Sequence, residues 1–160
     1  MFQKFDKTKY PPSEKPMMVW DGECGFCKYW VTRWHSLTGN SIVYKTYQEV
    51  AQQYQDIPLK EFKKASRLIE TNGAIYSGPD SAYRSYTYTK KNHPWHQWYH
   101  KYDWFTALSD HGYNYIAKNR GFFFKLTKAF FGTNPKRLQP YWVIYLILFL
   151  AVFYVLLKFL

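Results

Sequence analysis

Cysteine is almost missing: the 160 residues contain two. Two cysteines close at most one bridge, which excludes a secreted scaffold stapled by several disulfides in place of a core. Acidic side chains are also scarce, 11 against 22 lysines and arginines, for a formal net charge of +11. That balance excludes an acidic, solvating chain and turns attention to acidic partners. No Gly-x-Gly-x-x-Gly run follows a candidate strand, so no nicotinamide or flavin cofactor is expected. No internal repeat and no low-complexity tract is present, and residues 1–15 hold no apolar stretch of signal-peptide length. What abounds is aromatic: 16 Tyr, 13 Phe and 7 Trp, far too many for a disordered chain. The mean hydropathy of −0.48 averages a polar, aromatic body with an apolar C-terminal stretch. The length suits one domain with a core plus an appendage.

Residues 1–15, with Lys4, Lys7, Lys9 and Lys15, read as a loose basic lead-in. The apolar run 16–20 predicts a buried strand that stops at the turn pair Asp21-Gly22. Beyond it, Cys27, Trp30, Val31 and Trp34 recur at helical spacing until Gly39-Asn40. Residues 41–47 are β-branched and aromatic, hence a strand, and 48–65 carry a weak helical pattern broken at Pro58. Asn72-Gly73 predicts a tight hairpin with two positive φ angles between 66–71 and 74–77. Gly78-Pro79-Asp80 opens a further helix near 81–88. The order is β-α-β-(α)-β-β-α. Residues 90–121 predict short aromatic, basic helices interrupted by Pro94. In 121–131, Phe122, Phe123, Leu126 and Phe130 share a stripe that excludes Lys125 and Lys128. Two readings of this stretch stand, a helix lying in a membrane interface or a helix packed on the domain, and it opens a basic amphipathic connector over 121–140.

Tyr141 to Leu160 is twenty residues with one charge, Lys158. As a helix it reaches roughly 30 Å, the thickness of a bilayer's hydrocarbon core, and predicts a transmembrane span. Tyr141, Trp142 and Tyr154 suit interfacial belts, with Lys158 snorkelling at the far side. Lys125, Lys128, Lys136 and Arg137 precede the span, so the positive-inside bias places the body in the cytosol, on a single-pass, tail-anchored chain. Its basic surface would then face anionic lipid, each charge near the surface contributing on the order of 1 kcal/mol.

Cys24 and Cys27 fall between a strand and a helix. Cys24 sits at the helix N-terminus, where free backbone N–H groups stabilise a thiolate, while Cys27 shares the apolar face and should be shielded. One exposed attacking sulfur and one shielded resolving sulfur are what thiol–disulfide exchange requires. Haem attachment would need His where Lys28 stands, and zinc would need further ligands, for which His93, His96 and His100 are the candidates. Inert packed thiols are the remaining reading; Gly22 and Gly25 would be odd choices in a plain packed element.

The stretch WDGECGFC, Trp20 to Cys27, resembles the DCC family of thiol-disulfide oxidoreductases, whose Asp-x-x-Cys-x-x-Cys signature matches Asp21, Cys24 and Cys27. NGAIYSGPDSAYR (Asn72–Arg84) and YNYIAKNR (Tyr113–Arg120) are similar to further parts of that family, and together they cover roughly residues 16–121. The resemblance implies a thioredoxin-like α/β domain over 16–120, and the element order agrees with it. It also implies catalytic Cys24 and Cys27, supported by Trp20, Asp21 and Gly22. Asp21 carries over as the signature acid, taking a proton during exchange or fixing the turn. Thioredoxin-like folds place a cis-proline before the strand opposite the cysteines, but Lys64-Ala65-Ser66-Arg67 has none, which leaves Ser66 or Arg67 at the substrate-docking position.

The expected function is therefore a membrane-anchored oxidoreductase acting on a disulfide-containing partner and recharged by a dithiol donor, without cofactor or metal. A second reading is a non-catalytic membrane adaptor that binds through the aromatic, basic region 83–131. Nucleic-acid binding through interleaved basic and aromatic side chains is a third, which no recognisable RNA- or DNA-binding motif supports.

Overall fold

Alternation along the first strand sets the layers. In a computed structural model, which describes residues 1–91 and 93–159, β1 (Met17–Trp20) buries Met18 and Val19 completely, one toward each face of a sheet. Val19 joins Tyr47, Val50, Tyr54, Phe62 and Ile69 on one side, while Met18 joins Ile42 and Leu68 on the other, under Trp34 and Tyr76. A strand apolar on both faces needs cover on both, and helices supply it.

The chain leaves β1 through α1 (Gly25–Thr38), turns at Gly39 and returns as β2 (Val43–Thr46), parallel to β1. α2 (Tyr47–Val50) begins in a capping box in which Thr46 and Glu49 satisfy each other's backbone N–H, and α3 (Leu59–Lys64) starts after Pro58. β3 (Arg67–Ile69) pairs antiparallel with β1 and with β4 (Ile75–Ser77), giving the order β2-β1-β3-β4. α4 (Pro79–Tyr86) follows with proline in its first turn. This is the thioredoxin-like β-α-β…β-β-α arrangement. α5 (Trp95–Lys101), α6 (Asp103–Lys118) and α7 (Arg120–Phe131) complete the body, and α8 (Tyr141–Phe159) ends the described chain.

Three local expectations change. The 72–73 hairpin does not use two positive φ angles: Gly73 alone is left-handed, at φ 84°, and its N–H closes a turn onto the Glu70 carbonyl at 2.9 Å. Only glycine relieves the chain there, so the turn is of the bulged kind. The lead-in is not loose. Phe2 is buried over Gly78, and Ile75 and Thr8 donate to Asp6 and Gly73 carbonyls at 2.9 Å, which stitches the segment to β4. From Trp95 to Lys118 the chain forms one short and one sixteen-residue helix rather than short helices throughout, and Pro94 opens α5 instead of interrupting it.

α7 packs against α1: Phe124 lies edge-on to Tyr29, Phe131 to Trp30, and the Tyr29 hydroxyl donates to the Gly132 carbonyl at 2.9 Å. Of the two readings of 121–131, the contacts are those of a helix on the domain. α8 is the one helix among the described residues long and apolar enough to cross a membrane, with a mean hydropathy of 2.2 over Tyr141–Lys158 and none of it buried against the body.

Candidate active site

β1 delivers the chain to the site from inside the sheet, and a short loop turns it into α1. The Asp21 carbonyl accepts the Cys24 N–H at 3.2 Å, and its carboxylate Oδ1 accepts the Glu23 N–H at 3.2 Å, an Asx turn. Gln48 clamps this loop from α2, accepting the Gly22 N–H and donating to Asp21 Oδ1, both at 3.2 Å. Glycine at 22 is forced by proximity, since a Cβ there would stand 2.7 Å from Thr46 Cγ2. Gly22→Ala is therefore expected to lower stability by about 1–3 kcal/mol through overpacking and to slow turnover. Urea unfolding of the variant checks this, and wild-type stability would contradict the packing argument.

Cys24 is the N-cap of α1. Its sulfur accepts the Cys27 N–H at 3.1 Å, and the two cysteines, with Cα atoms 5.2 Å apart, are paired at disulfide distance. Both are half-buried, so the expected contrast between an open and a shielded sulfur is weak. They differ instead in the cleft each lines. Cys27 borders an apolar cavity of about 360 Å³ between α1, α4 and α6, with Trp20, Trp30, Trp34 and Tyr83 in its wall. Cys24 borders a neighbouring cleft of about 300 Å³ with Glu23, Gly25 and Phe124.

Asp21 and Arg120 line both clefts and form an ion pair at 3.1 Å. Arg120 also donates to the Lys63 and Lys64 carbonyls at 3.1 Å each, fastening the start of α7 to the segment before β3. In that segment the Ser66 N–H donates to the Tyr113 hydroxyl at 3.1 Å, and the Ser66 and Ser81 hydroxyls meet at 2.8 Å. Ser66 lines the Cys27 cavity; Arg67 does not, being wholly buried against Ser77, Gln3 and Glu61. Trp20, Asp21, Gly22, Cys24 and Cys27 thus come together, joined by three side chains not singled out from the sequence: Gln48, Tyr113 and Arg120. The last two are the first and last residues of the YNYIAKNR stretch, which its resemblance to the family had marked as a whole. Of the three histidines, His93 stacks on Trp95, whereas His96 and His100 converge on Asp80.

A thioredoxin-like sheet that carries Cys-x-x-Cys at the first turn of the helix after an internal strand defines a dithiol–disulfide enzyme. Residues 18–126, about two thirds of the chain, match the family described as DCC1-like thiol-disulfide oxidoreductase, and the chain belongs to that family. No curated protein and no solved structure matches it. The chain is a thiol-disulfide oxidoreductase.

Proposed function

We propose that Cys24 is the attacking sulfur and Cys27 the resolving one, in exchange with a disulfide-bearing protein or small molecule, on a domain held at a membrane by α8. The observation that carries the assignment is the position of Cys24 as N-cap with its sulfur receiving the Cys27 N–H. Negative charge on that sulfur is stabilised by the helix terminus and by the Cys27 N–H it receives, conditions that favour a reactive thiolate. The Cys24 thiolate attacks one substrate sulfur, the substrate S–S bond breaks, and one substrate thiolate leaves and is protonated by water. Cys27, as thiolate, attacks the Cys24 sulfur; the mixed disulfide breaks and the second substrate thiol leaves. Two electrons have passed to the substrate, and a partner dithiol returns them. Asp21 acts here as a positioning residue that holds the loop and Arg120. Turnover of a model aromatic disulfide by the full chain in detergent, with excess dithiol as donor, tests this. The same turnover from a Cys24→Ala/Cys27→Ala variant would contradict it and favour the adaptor reading.

Membrane attachment is supported by the nineteen residues of α8, apolar but for Lys158 and about 28 Å long as a helix, and by Tyr141, Trp142 and Tyr154 near its ends. Lys125, Lys128, Lys136 and Arg137 before the span favour a body on the cytosolic side, against anionic lipid. Exposed Trp104, Leu108, Tyr115 and Phe122 on α6 and α7 are further surface suited to an interface. The chain is expected to stay in the pellet after alkaline carbonate extraction of membranes, and release into the supernatant would contradict the span.

A further inference from the structure

Asp80 is a buried carboxylate with an unusual set of neighbours. It lies in the first turn of α4 with its side chain 7% exposed, and among the described residues no lysine or arginine comes within ion-pair distance of it. Two imidazoles face it instead. His96 Nδ1 stands 2.8 Å from one carboxylate oxygen and His100 Nε2 stands 2.9 Å from the other. Both histidines project from the same face of α5, four residues apart, so the helix geometry itself aims them together. Arg84, four residues on along α4, lies over the Tyr76 ring at 5.3 Å and is paired with Glu70 at 2.8 Å. A buried carboxylate and two imidazole nitrogens thus converge on one spot from two helices, a grouping of ligand atoms rather than a lone ion pair.

We propose that Asp80, His96 and His100 bind a divalent transition-metal ion, zinc by the character of the ligands. Two imidazole nitrogens and one carboxylate oxygen are a borderline N/O set, and three protein ligands with an open fourth position are a familiar zinc arrangement. The three ligand atoms lie within 4.8 Å of one another. A tetrahedral ion at about 2.0–2.1 Å from each sets the ligand atoms roughly 3.3 Å apart, so the closest nitrogen–oxygen pair opens slightly and the wider separations close, small ring rotations that the exposed His100 can make. His96 is held tightly, its side chain 14% exposed and its ring edge-on to Tyr76, whereas His100 is 54% exposed. The ion therefore enters from the His100 side, and water takes the fourth position there.

The ring nitrogens that donate to Asp80 give up their protons, to the other ring nitrogen or to water, and bind through the lone pairs so freed; the two hydrogen bonds to Asp80 are replaced by bonds to the ion, and no electron is transferred. The ion ties α4 to α5. Because Pro79, Ala82 and Tyr83 of α4 line the cavity beside Cys27, the tie fixes one wall of the redox cleft without using a cysteine. A metal site made without thiols is insensitive to the oxidation state of Cys24 and Cys27, which separates this inference from the exchange mechanism.

The test uses the full, tag-free chain in detergent, oxidised so that both cysteines are paired, stripped with chelator and titrated with ZnCl₂ against a chromophoric competitor. One equivalent is expected to bind, and the melting temperature is expected to rise with it. Altering a residue behind a metal ligand costs roughly 10–100-fold in affinity, so removal of a ligand in His96→Ala or His100→Ala is expected to cost at least that. His111→Ala, on the exposed face of α6, is expected to bind as the wild type does. Absence of stoichiometric zinc, or wild-type affinity in His100→Ala, overturns the proposal. His100 is half exposed, so that variant folds and decides the matter even if His96→Ala does not.

Discussion

Cys24→Ser is expected to lower turnover by roughly 10³-fold or more, because loss of the nucleophile removes the covalent route altogether. Cys27→Ser is expected to behave differently. The first attack survives, the mixed disulfide forms, and no neighbouring sulfur releases it, so substrate accumulates on Cys24. Non-reducing electrophoresis after an acid quench distinguishes the two variants by a mass shift present in one and absent in the other. The asymmetry rests on placement: Cys24 caps α1 and borders the cleft shared with Arg120, while Cys27 lies one turn further on against the aromatic cavity. Adducts that accumulate on Cys27 in Cys24→Ser, with none on Cys24 in Cys27→Ser, would reverse the roles.

The largest stability effect is expected at Glu61, far from the cysteines. Its carboxylate is buried and receives Lys64 at 2.6 Å and the Gln3 N–H at 2.8 Å, with the wholly buried Arg67 at 3.7 Å. Burial pushes the Arg67 guanidinium down to about 10, against the opposing pull of Glu61, so it remains charged at neutral pH. Removing the carboxylate in Glu61→Ala leaves that charge uncompensated and is expected to cost about 3–5 kcal/mol, a large share of a domain's stability. Urea unfolding at neutral pH reads this, and a loss below about 1 kcal/mol would contradict it.

The same residue sets a pH dependence. Burial, the largest single influence, would raise the Glu61 carboxyl, but Lys64, the Gln3 N–H and Arg67 together outweigh it and hold the group below its ordinary 4.5. The folded state then binds fewer protons than the unfolded one, so the contribution is complete above pH 4.5 and is lost as pH falls through the lowered value. Glu49, lowered by the Thr46 N–H, the Thr46 hydroxyl and Lys45, titrates in the same window. The difference between wild type and Glu61→Gln isolates Glu61: the gap between their unfolding free energies is expected to narrow as the solution is acidified below pH 4.5, and a constant gap would contradict the assignment.

Elements with a local signature were legible in the sequence. β1, α1 and the position of the 72–73 turn follow from an apolar run, a helical period and Asn-Gly, each within a few residues, and the cysteine spacing at a strand-to-helix junction was enough to suggest exchange chemistry. What escaped depends on partners far away in the chain. Docking of the lead-in rests on Phe2 over Gly78 and on Gln3 between Glu61 and Arg67, contacts that no local pattern announces. Arg120 meets Asp21 across 99 residues, and Tyr113 meets Ser66 across 47. His93, His96 and His100 share helical spacing, but Pro94 opens α5 between the first and the others, leaving His93 on Trp95 and bringing Asp80 in its place. Single turn angles also lay beyond a dipeptide rule, as Gly73 alone shows.

Thiol trapping across a graded series of redox buffers, on the full chain in detergent and on Cys24→Ser, tests the central claim most directly. A reversible transition involving two electrons is expected in the wild type and none in the variant. Thiols at Cys24 and Cys27 that never pair under oxidising buffer would contradict exchange chemistry at this site.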